Sequence, residues 1–376
     1  MRHSTLRRAA TAVCVAVCRG ERPEVPELLG LEDELVRAVR FHRIAPLAHV
    51  ALREVRPGLA ALLKGDRDAA LRHHLNASST LAAVGGTLAG IPWLVFKGPV
   101  LSEGLHPVAG LRSYGDLDVL VAPADLREAA GRLLEAGWQT LATPSDLRNG
   151  EVTGELELGR TGEVLVDLHW SLVISETLRR RFPVPADDLL ARSSPVVIGP
   201  VPARTLDPTD TLVHLCHHAA FSGAVRLVHL LDVHESASGV DDWRPVVDRA
   251  REWGAGAQVG LVLARARRVL GTPVPPDLDR RLGLSRAFGP LASAVDLAQP
   301  VPDLRREASW ARLVARDARP GALATVTTVL RDAALGAAHR VRRGTDEPAR
   351  VPAGPEDLAA WFAEVEHVTG PAGRPH

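Results

Sequence analysis

Two aspartates one residue apart constrain the fold of this chain more than any other feature. Asp116 and Asp118 lie in an otherwise apolar run, Asp116-Leu117-Asp118-Val119-Leu120-Val121. Residues i and i+2 of a β-strand point to the same face, so the run predicts a strand with both carboxylates on one face and apolar residues toward the core. Two adjacent like charges are costly unless a cation neutralises them, and a divalent metal beside bound phosphates does so. An Asp-rich turn leading into an ordinary strand is the alternative interpretation.

A short apolar segment upstream ends in a glycine turn. Residues 91–96 predict a buried strand, Lys97-Gly98 predicts a turn, and residues 100–105 have the pattern of a short helix. A strand followed by glycine and a helix presents backbone N–H groups and the positive end of a helix dipole, which favour phosphate. This segment is therefore a candidate phosphate-binding turn.

A second alternating segment lies downstream, in residues 163–170. It predicts a strand with Asp167 and His169 on one face and Val166 and Leu168 on the other. An Asp-x-Asp strand with a third aspartate on a neighbouring strand is the outline of a two-metal site. His169 is expected either to contact an acceptor or to have a structural role beside Trp170.

In combination these motifs resemble a known family. Lys97-Gly98, the segment 111–121 and Val166-Asp167-Leu168-His169-Trp170 look like the uncharacterised nucleotidyltransferase family of the polymerase-β superfamily, over roughly residues 28–240. The resemblance implies an α+β fold, in which N-terminal and C-terminal helical regions flank a polymerase-β-like mixed-sheet core. It also implies an NTP substrate and Mg²⁺, with Asp116 and Asp118 as metal ligands and Asp167 as the third catalytic, metal-binding carboxylate.

The glycine turn departs from the usual pattern of that superfamily. The superfamily has Gly-Ser or Gly-Gly where this chain has Gly98-Pro99, so a serine hydroxyl is absent and the Pro99 nitrogen cannot donate. Lys97, as a point charge, and Arg112, as a planar fork, are expected to supply phosphate contacts instead. The expected nucleotide-binding residues are therefore Lys97, Gly98, Arg112 and Ser113.

Composition excludes some classes of partner. The 376 residues carry a formal net charge of +0, and aromatic residues make up only 4% of the chain. A basic nucleic-acid surface and a base-stacking platform are therefore not expected. No stretch has the apolar length of a membrane span, so no membrane association is expected either.

Cysteine content and the first residues suggest the compartment. Cys14, Cys18 and Cys216 form no framework spacing, which favours a reducing environment. The apolar run at residues 9–18 is short, and residues 19–22 are charged rather than a small-residue cleavage site, so a buried first helix is favoured over a signal peptide. A cytoplasmic location is the resulting prediction.

Periodicity divides the chain into four parts. Residues 1–90 are predicted as an N-terminal helical region, and residues 91–206 as the nucleotidyltransferase core of strands and helices. Residues 207–345 are predicted as a C-terminal helical region. Residues 346–376 are rich in Pro and Gly and predict a flexible tail with one short helix near residues 358–365.

Two groups of polar residues are interpreted as solvent-exposed. Residues 152–158 predict a strand with Glu151, Thr153, Glu155 and Glu157 on one face, and this acidic stripe is interpreted as solvated. His73-His74 lies on a predicted helix within residues 66–88 and is expected at its surface.

A histidine cluster supplies the main rival site. His214 and His218 are i, i+4 on one predicted helix, and His229 and Asp232 follow on the next. Such a set suits Zn²⁺, Mn²⁺ or Fe in a hydrolase. However, the chain has neither a His-Glu-x-x-His pattern nor a His-Asp dipeptide here, and residues lining a substrate cleft or pairing structurally are the alternative.

The function predicted from the sequence is therefore nucleotidyl transfer. The enzyme would move an NMP group from an NTP to a hydroxyl or similar acceptor on a small molecule or protein, with two Mg²⁺ ions at Asp116, Asp118 and Asp167. The alternatives are a non-catalytic nucleotide-binding protein and a metal-dependent hydrolase using His214, His218 and Asp232.

Overall fold

The computed structural model describes most of the chain. It covers residues 2–148, 152–290, 293–294, 314–321, 323–330 and 351–370. Within these residues, no helix combines the length and the apolar character needed to cross a lipid bilayer.

The described elements alternate helices and strands only in the middle of the chain. The helices are α1 (Arg2–Cys18), α2 (Leu31–Phe41), α3 (Ala45–Leu52), α4 (Pro57–Leu62), α5 (Lys64–Thr87), α6 (Gly98–Gly104), α7 (Leu126–Glu135), α8 (Pro144–Arg148), α9 (Glu176–Arg179), α10 (Ala186–Arg192), α11 (Pro208–Phe221), α12 (Leu227–Ser238), α13 (Arg244–Glu252), α14 (Gly256–Leu270), α15 (Leu278–Arg281) and α16 (Pro355–Thr369). The strands are β1 (Trp93–Phe96), β2 (Asp116–Val121), β3 (Gln139–Thr140), β4 (Glu155–Gly159), β5 (Leu165–His169), β6 (Ser194–Ile198) and β7 (Val201–Thr205).

These elements form two compact units. We call residues 2–71, 104–113 and the described part of 208–330 the helical unit. We call residues 72–103, 114–207 and 351–370 the sheet unit, with residues 149–151 outside the described part. The chain therefore passes between the units several times.

A five-stranded mixed sheet is the centre of the sheet unit, with strand order β1-β2-β5-β4-β3. β2 and β5 are parallel, whereas β1–β2, β5–β4 and β4–β3 are antiparallel. The prediction of a mixed α+β fold with a mixed sheet is confirmed, as are the predicted strands carrying Asp116, Asp118 and Asp167.

One face of this sheet is covered by an apolar core. The alternate residues Val95, Leu117, Val119, Leu156 and Val166 point into it and are fully buried. Burial of side chains of this size contributes about 1.5–3 kcal/mol each relative to exposure. The opposite face of the same strands carries the charged side chains together with a few buried apolar ones, such as Phe96 and Leu120.

Helix α7 covers part of that core because its apolar residues recur at helical spacing. Leu126, Ala129, Ala130 and Leu133 are all fully buried. The chain then reverses at Gly137, whose φ of +89° is a conformation that glycine adopts without a side-chain clash.

The structure differs from the predicted tail in residues 351–370. These residues form α16, which is longer than the short helix expected near 358–365. Leu358, Trp361, Phe362 and Val365 are buried in the core of the sheet unit. The sequence predicts a helix here but not its length or its burial, although the i, i+3, i+4, i+7 apolar spacing is that of a packed face. The rest of residues 346–376 lies outside the described residues.

The structural division also differs from the predicted boundary near residue 90. Helix α5 crosses from the helical unit to the sheet unit, because the division falls after Leu71. Leu81, Val84 and Leu88, at or just after the C-terminal end of α5, belong to the core beneath the sheet. The sheet unit also contains the antiparallel hairpin β6–β7.

In the helical unit, ion pairs fasten buried helices. The fully buried Asp210 of α11 pairs with Arg249 of α13. Asp232 of α12 pairs with Arg112, and both side chains are buried. Breaking a buried pair by removing one partner costs about 3–5 kcal/mol because the other charge stays buried.

Candidate active site

The polar face of the sheet gathers charged side chains from four neighbouring strands. Asp118 of β2 lies in register with Asp167 of the parallel strand β5. On the other side of β2, Phe96 of β1 is in register with Asp118. Lys97 is the next residue after Phe96 and lies beside Asp118. Glu155 of β4 is in register with the last residue of β5. Period-two alternation of strands therefore assembles the site from separate segments.

The turn after β1 positions Lys97. Lys97 has a φ of +54°, in the left-handed region that non-glycine residues rarely adopt. Gly98, the first residue of α6, is fitted closely against β2, because a Cβ atom there would lie 3.1 Å from the Asp116 carbonyl oxygen and 3.3 Å from the Tyr114 ring. The predicted glycine turn is therefore present, and it brings the chain directly against the start of the Asp-x-Asp strand.

Asp118 is the centre of the charged contacts. Lys97 Nζ lies 2.7 Å from Asp118 Oδ1, and His169 Nε2 lies 3.1 Å from the same oxygen. Asp118 and His169 are almost completely buried. The sequence predicts that Lys97 contacts a triphosphate, whereas the structure pairs its ammonium group with a predicted metal ligand.

Glu155 is a site residue that the sequence interpretation missed. Its Oε2 lies 3.3 Å from His169 Nδ1, although the contact lacks hydrogen-bond geometry. Glu155 is partly buried, whereas Glu157, two residues later on the same face, is exposed. The expectation of a solvated acidic stripe thus holds for Glu157 and is wrong for Glu155. The available signal was that an acidic strand could pair with the strand carrying Asp167 and His169.

The charges around Asp118 shift the pKa values of its partners. Although burial alone favours the protonated form, Lys97 and His169 hold the pKa of Asp118 well below its usual range. Burial alone would lower the pKa of Lys97 and of His169, but the neighbouring carboxylates raise both values above normal. The neighbouring carboxylates therefore favour the charged form of each basic group.

Asp167 behaves in the opposite way. Burial and the nearby carboxylates of Glu155, Asp116 and Asp118 raise its pKa to about 7, with His169 opposing the shift. Like charges crowded in a partly buried site cannot all ionise at low cost, so Asp167 takes the proton. Two neighbouring carboxyl groups, one with a lowered pKa and the other with a raised pKa, are typical of functional sites.

The same side chains form a potential metal site. Within the described residues, Asp118, Asp167 and His169 offer ligand atoms that all lie within 4.8 Å of one another. Two carboxylates and an imidazole suit a divalent cation, and such an ion relieves the crowding that raises the pKa of Asp167. Asp116 lies on the same strand face but outside this group. Its role as a metal ligand stays a prediction.

The predicted nucleotide-binding residues divide between the units. Lys97 and Gly98 lie in the sheet unit, whereas Arg112 and Ser113 lie in the helical unit. Arg112 donates through Nε and Nη2 to the two oxygens of Asp232, at 2.8 and 2.7 Å. Its guanidinium fork is therefore engaged with a carboxylate in the helical unit. Contacts of Arg112 and Ser113 with a nucleotide stay predictions.

The rival histidine cluster forms no comparable ligand set in the part of the chain that the structure describes. The rings of His218 and His229 pack edge to face with centroids 5.2 Å apart, and the His214 ring lies 6.0 Å from that of His218. Asp232 is bound by Arg112. Burial lowers the pKa of His229 to about 4, with nearby arginines adding to the shift. The cluster is a packed part of the helical unit.

A histidine expected at the surface supports the site instead. His74 is buried, with Nδ1 2.8 Å from the Tyr114 hydroxyl and Nε2 3.2 Å from Glu103. Tyr114 in turn packs beside Gly98. The prediction of a surface position is therefore wrong for His74, because the chain folds back two residues before Asp116 and covers it.

The site combines an acidic pair, a buried cation and an oriented imidazole. This combination can bind a divalent ion, stabilise the negative charge of a phosphate substrate and accept a proton at Asp167 near neutral pH. No curated protein and no solved structure matches the chain. A family model described as an uncharacterised nucleotidyltransferase matches residues 31–271, which is more than half of the 376 residues. The chain therefore belongs to the uncharacterised nucleotidyltransferase family.

Proposed function

We propose that this protein is a Mg²⁺-dependent nucleotidyltransferase that moves an NMP group from an NTP to a hydroxyl or similar acceptor on a small molecule or protein. The family supports a transferase of this general kind. The observation that carries the proposal is the register of Asp118 with Asp167 on adjacent parallel strands, beside the buried Lys97.

Asp118 and Asp167, with Asp116 beside them, would hold Mg²⁺, which when bound lowers the pKa of an acceptor hydroxyl and screens the charge of the pyrophosphate leaving group. Oxygen ligands are those that Mg²⁺ prefers. The three carboxylates lie on one sheet face, so their shared negative charge attracts the ion to that face.

Asp167 receives the proton, and Lys97 and Asp118 stabilise each other's charge. The acceptor oxygen forms a bond to the α-phosphorus while the bond from that phosphorus to the pyrophosphate oxygen breaks, and the hydroxyl proton passes to an Asp167 oxygen. Without the ion, the pKa of Asp167 is raised to about 7 whereas that of Asp118 lies well below its usual range, so Asp167 offers the more basic oxygen of the two. Lys97 remains charged and keeps Asp118 ionised, because each group stabilises the charged form of the other.

Pyrophosphate release tests the proposal. The purified protein is incubated with each of the four NTPs, Mg²⁺ and pools of hydroxylated small molecules and proteins, and the products are identified by mass. We expect pyrophosphate release together with an acceptor whose mass rises by one NMP. Asp167→Asn should lower the rate by at least about a hundredfold, the scale of general-base loss.

Glu128→Gln is the matched control, because this exposed carboxylate lies on α7 and pairs with Arg132 of the same helix. It should leave the rate unchanged. NTP binding without pyrophosphate release in the presence of any acceptor would overturn the proposed transfer and support a non-catalytic nucleotide-binding protein. Equal rates for Asp167→Asn and wild type would remove Asp167 from the site.

A further inference from the structure

One of the three potential metal ligands is a nitrogen atom. Asp118, Asp167 and His169 place their ligand atoms within 4.8 Å of one another. His169 is only 2% exposed, so its position is set by the fold rather than by solvent. The ligand set that the structure assembles is therefore not the all-oxygen set that suits Mg²⁺ best.

The imidazole of His169 is oriented on three sides. Nε2 points to Asp118, at 3.1 Å, and Nδ1 lies 3.3 Å from Glu155 Oε2. The ring also packs edge to face against Phe96, with centroids 5.0 Å apart and planes at 64°. Rotation of the ring would break all of these contacts, so Nε2 stays directed at Asp118.

Glu155 lies where it can fix the tautomer of the His169 ring. Metal-binding histidines commonly donate their second ring N–H to a carboxylate, which fixes the tautomer and leaves the other nitrogen for the metal. Nδ1 of His169 is buried without a full hydrogen bond, and Glu155 is the carboxylate beside it. A small movement of either side chain would complete the contact and leave Nε2 facing Asp118.

We propose that Asp118, Asp167 and His169 bind a divalent first-row transition ion in preference to Mg²⁺, with Nε2 of His169 as a direct ligand and Glu155 as its positioning residue. Imidazole nitrogen strengthens binding of transition ions much more than binding of Mg²⁺, which favours oxygen and retains water. The inference rests on the proposed function only for the location of the metal site. It changes the predicted ion from Mg²⁺ alone to a transition metal.

Mn²⁺ is the probe, because it binds most weakly in the transition series and is detected by electron paramagnetic resonance. Pulsed measurements on the Mn²⁺ complex of the full chain should show the ¹⁴N coupling of one directly bound imidazole. Calorimetry should give a Kd for Mn²⁺ at least about tenfold below that for Mg²⁺. His169→Gln should abolish the ¹⁴N coupling and weaken Mn²⁺ about tenfold or more, while the Kd for Mg²⁺ changes less than about threefold.

Two further variants separate the ligand from its surroundings. Glu155→Leu should weaken Mn²⁺ binding by about 10- to 100-fold, and Glu155→Gln should restore most of it because the amide oxygen still accepts from Nδ1–H. His218→Gln is the control, since His218 lies in the helical unit and should keep the ¹⁴N signal. Circular dichroism and thermal melting check that each variant is folded. If His169→Gln does not fold, the wild-type ¹⁴N signal and ion preference still decide the question.

Three results would overturn the inference. A wild-type Mn²⁺ complex without ¹⁴N coupling would show an all-oxygen site. Loss of the signal in His218→Gln would place the ion in the histidine cluster. Equal loss of Mn²⁺ and Mg²⁺ affinity in folded His169→Gln would give His169 a structural role only. These results are independent of turnover. ¹⁴N coupling without pyrophosphate release would refute the proposed function and leave His169 as a metal ligand. Pyrophosphate release without ¹⁴N coupling would refute the ligand and leave the proposed function in place.

Discussion

Lys97 and Asp118 are each the counter-charge of the other in a nearly dry environment. The two side chains are 16% and 4% exposed, and their charged atoms are 2.7 Å apart. Attraction at this distance offsets the desolvation of both ions, but removal of either partner leaves the other charge buried alone. Asp118 therefore stabilises the fold as well as forming part of the site.

We expect the two members of the Asp-x-Asp pair to differ in their effect on stability. Asp118→Asn should lower the free energy of unfolding by about 3 kcal/mol, because the Lys97 charge loses its partner. Asp116→Asn, at the partly exposed start of β2, should cost less than about 1 kcal/mol. Both should abolish transfer if both aspartates serve the metal. Urea unfolding and the pyrophosphate assay measure the two effects, and equal stability losses would contradict the distinction.

Lys97→Met is expected to make stability depend on a divalent ion. The substitution removes the ammonium group and keeps a similar apolar stem, so Asp118 is left as an unpaired buried anion at a cost of about 3 kcal/mol. A bound divalent cation would replace the missing charge. Melting temperatures should therefore rise more on addition of Mg²⁺ or Mn²⁺ in this variant than in wild type. A metal response equal to that of wild type would show that the ion does not contact Asp118.

The sequence predicts most of the acidic residues of the site and misses its basic and bridging contacts. Alternation within β2 and β5 is a local property, so it predicts that Asp118 and Asp167 share a sheet face. The pairing of Lys97 with Asp118 and of Glu155 with His169 depends on which strands are neighbours. That order is set by packing of distant segments, which one sequence without its fold does not reveal.

At the scale of elements, the turn between β1 and α6 is packed closely beside the site. Gly98 lies against the first residues of β2, with little room for a side chain. Gly104, the last residue of the same helix, is different, because a Cβ added there would meet no neighbouring atom of the described residues within 4 Å. The two glycines therefore provide a matched pair at the two ends of α6.

We expect Gly98→Ala to lower activity about tenfold and stability by about 1–2 kcal/mol. The added methyl group would lie 3.1 Å from a backbone oxygen of β2, so β1 and β2 must shift and Lys97 moves away from Asp118. Gly104→Ala should be neutral or slightly stabilising, because alanine favours a helix and meets no neighbour. Assay and urea unfolding of both variants give the comparison. A neutral Gly98→Ala would show that the turn adapts without disturbing the site.

The elements themselves are predicted unevenly. β1 is a short continuous apolar run, and β2 and β5 combine apolar residues with acidic ones at alternate positions, so all three are predicted close to their observed bounds. β7 is not predicted from the sequence, because Val201-Pro202-Ala203-Arg204-Thr205 contains a proline and few apolar residues. It forms a strand through pairing with β6. Tertiary contacts thus decide the weakly patterned segments, whereas the local pattern decides the strong ones.

At the scale of the whole molecule, buried histidines make folding sensitive to acid. Burial and the charges of Arg226 and Arg265 lower the pKa of His42 to about 4. Burial also lowers the pKa of His229 to about 4. The unfolded chain binds a proton at each site near pH 6.5, whereas the folded helical unit does not. Stability is therefore fully present above pH 6.5 and is lost as the pH falls toward 4.

We expect the free energy of unfolding to fall by roughly 3 kcal/mol per histidine between pH 7.5 and pH 4, since one pKa unit corresponds to about 1.4 kcal/mol. His42→Asn should reduce this slope, because its amide oxygen still accepts from the Leu227 N–H and does not titrate. The exposed His367→Asn should keep the wild-type slope. Urea unfolding at several pH values provides the measurement, and identical slopes in all three proteins would contradict the prediction.

The division into units is the least predictable property. Local patterns place a boundary near residue 90, but the observed division interrupts α5 and assigns residues 104–113 to the helical unit. Such an arrangement depends on contacts between residues far apart in sequence. The sequence pattern shows which residues are apolar. It does not show which of the two cores they pack into.

The position of α16 has a consequence for the order of events during synthesis on the ribosome. Trp361, Phe362 and Val365 complete the core on the apolar face of a sheet whose strands begin at residue 93. The part of the core that α16 completes therefore stays open while the residues between β5, which ends at His169, and α16, which begins at Pro355, are translated. The nascent sheet exposes hydrophobic surface throughout this interval, which is the condition that favours aggregation and chaperone binding. Final closure of the sheet unit must wait for α16 to leave the exit tunnel, long after the residues of the active site have emerged.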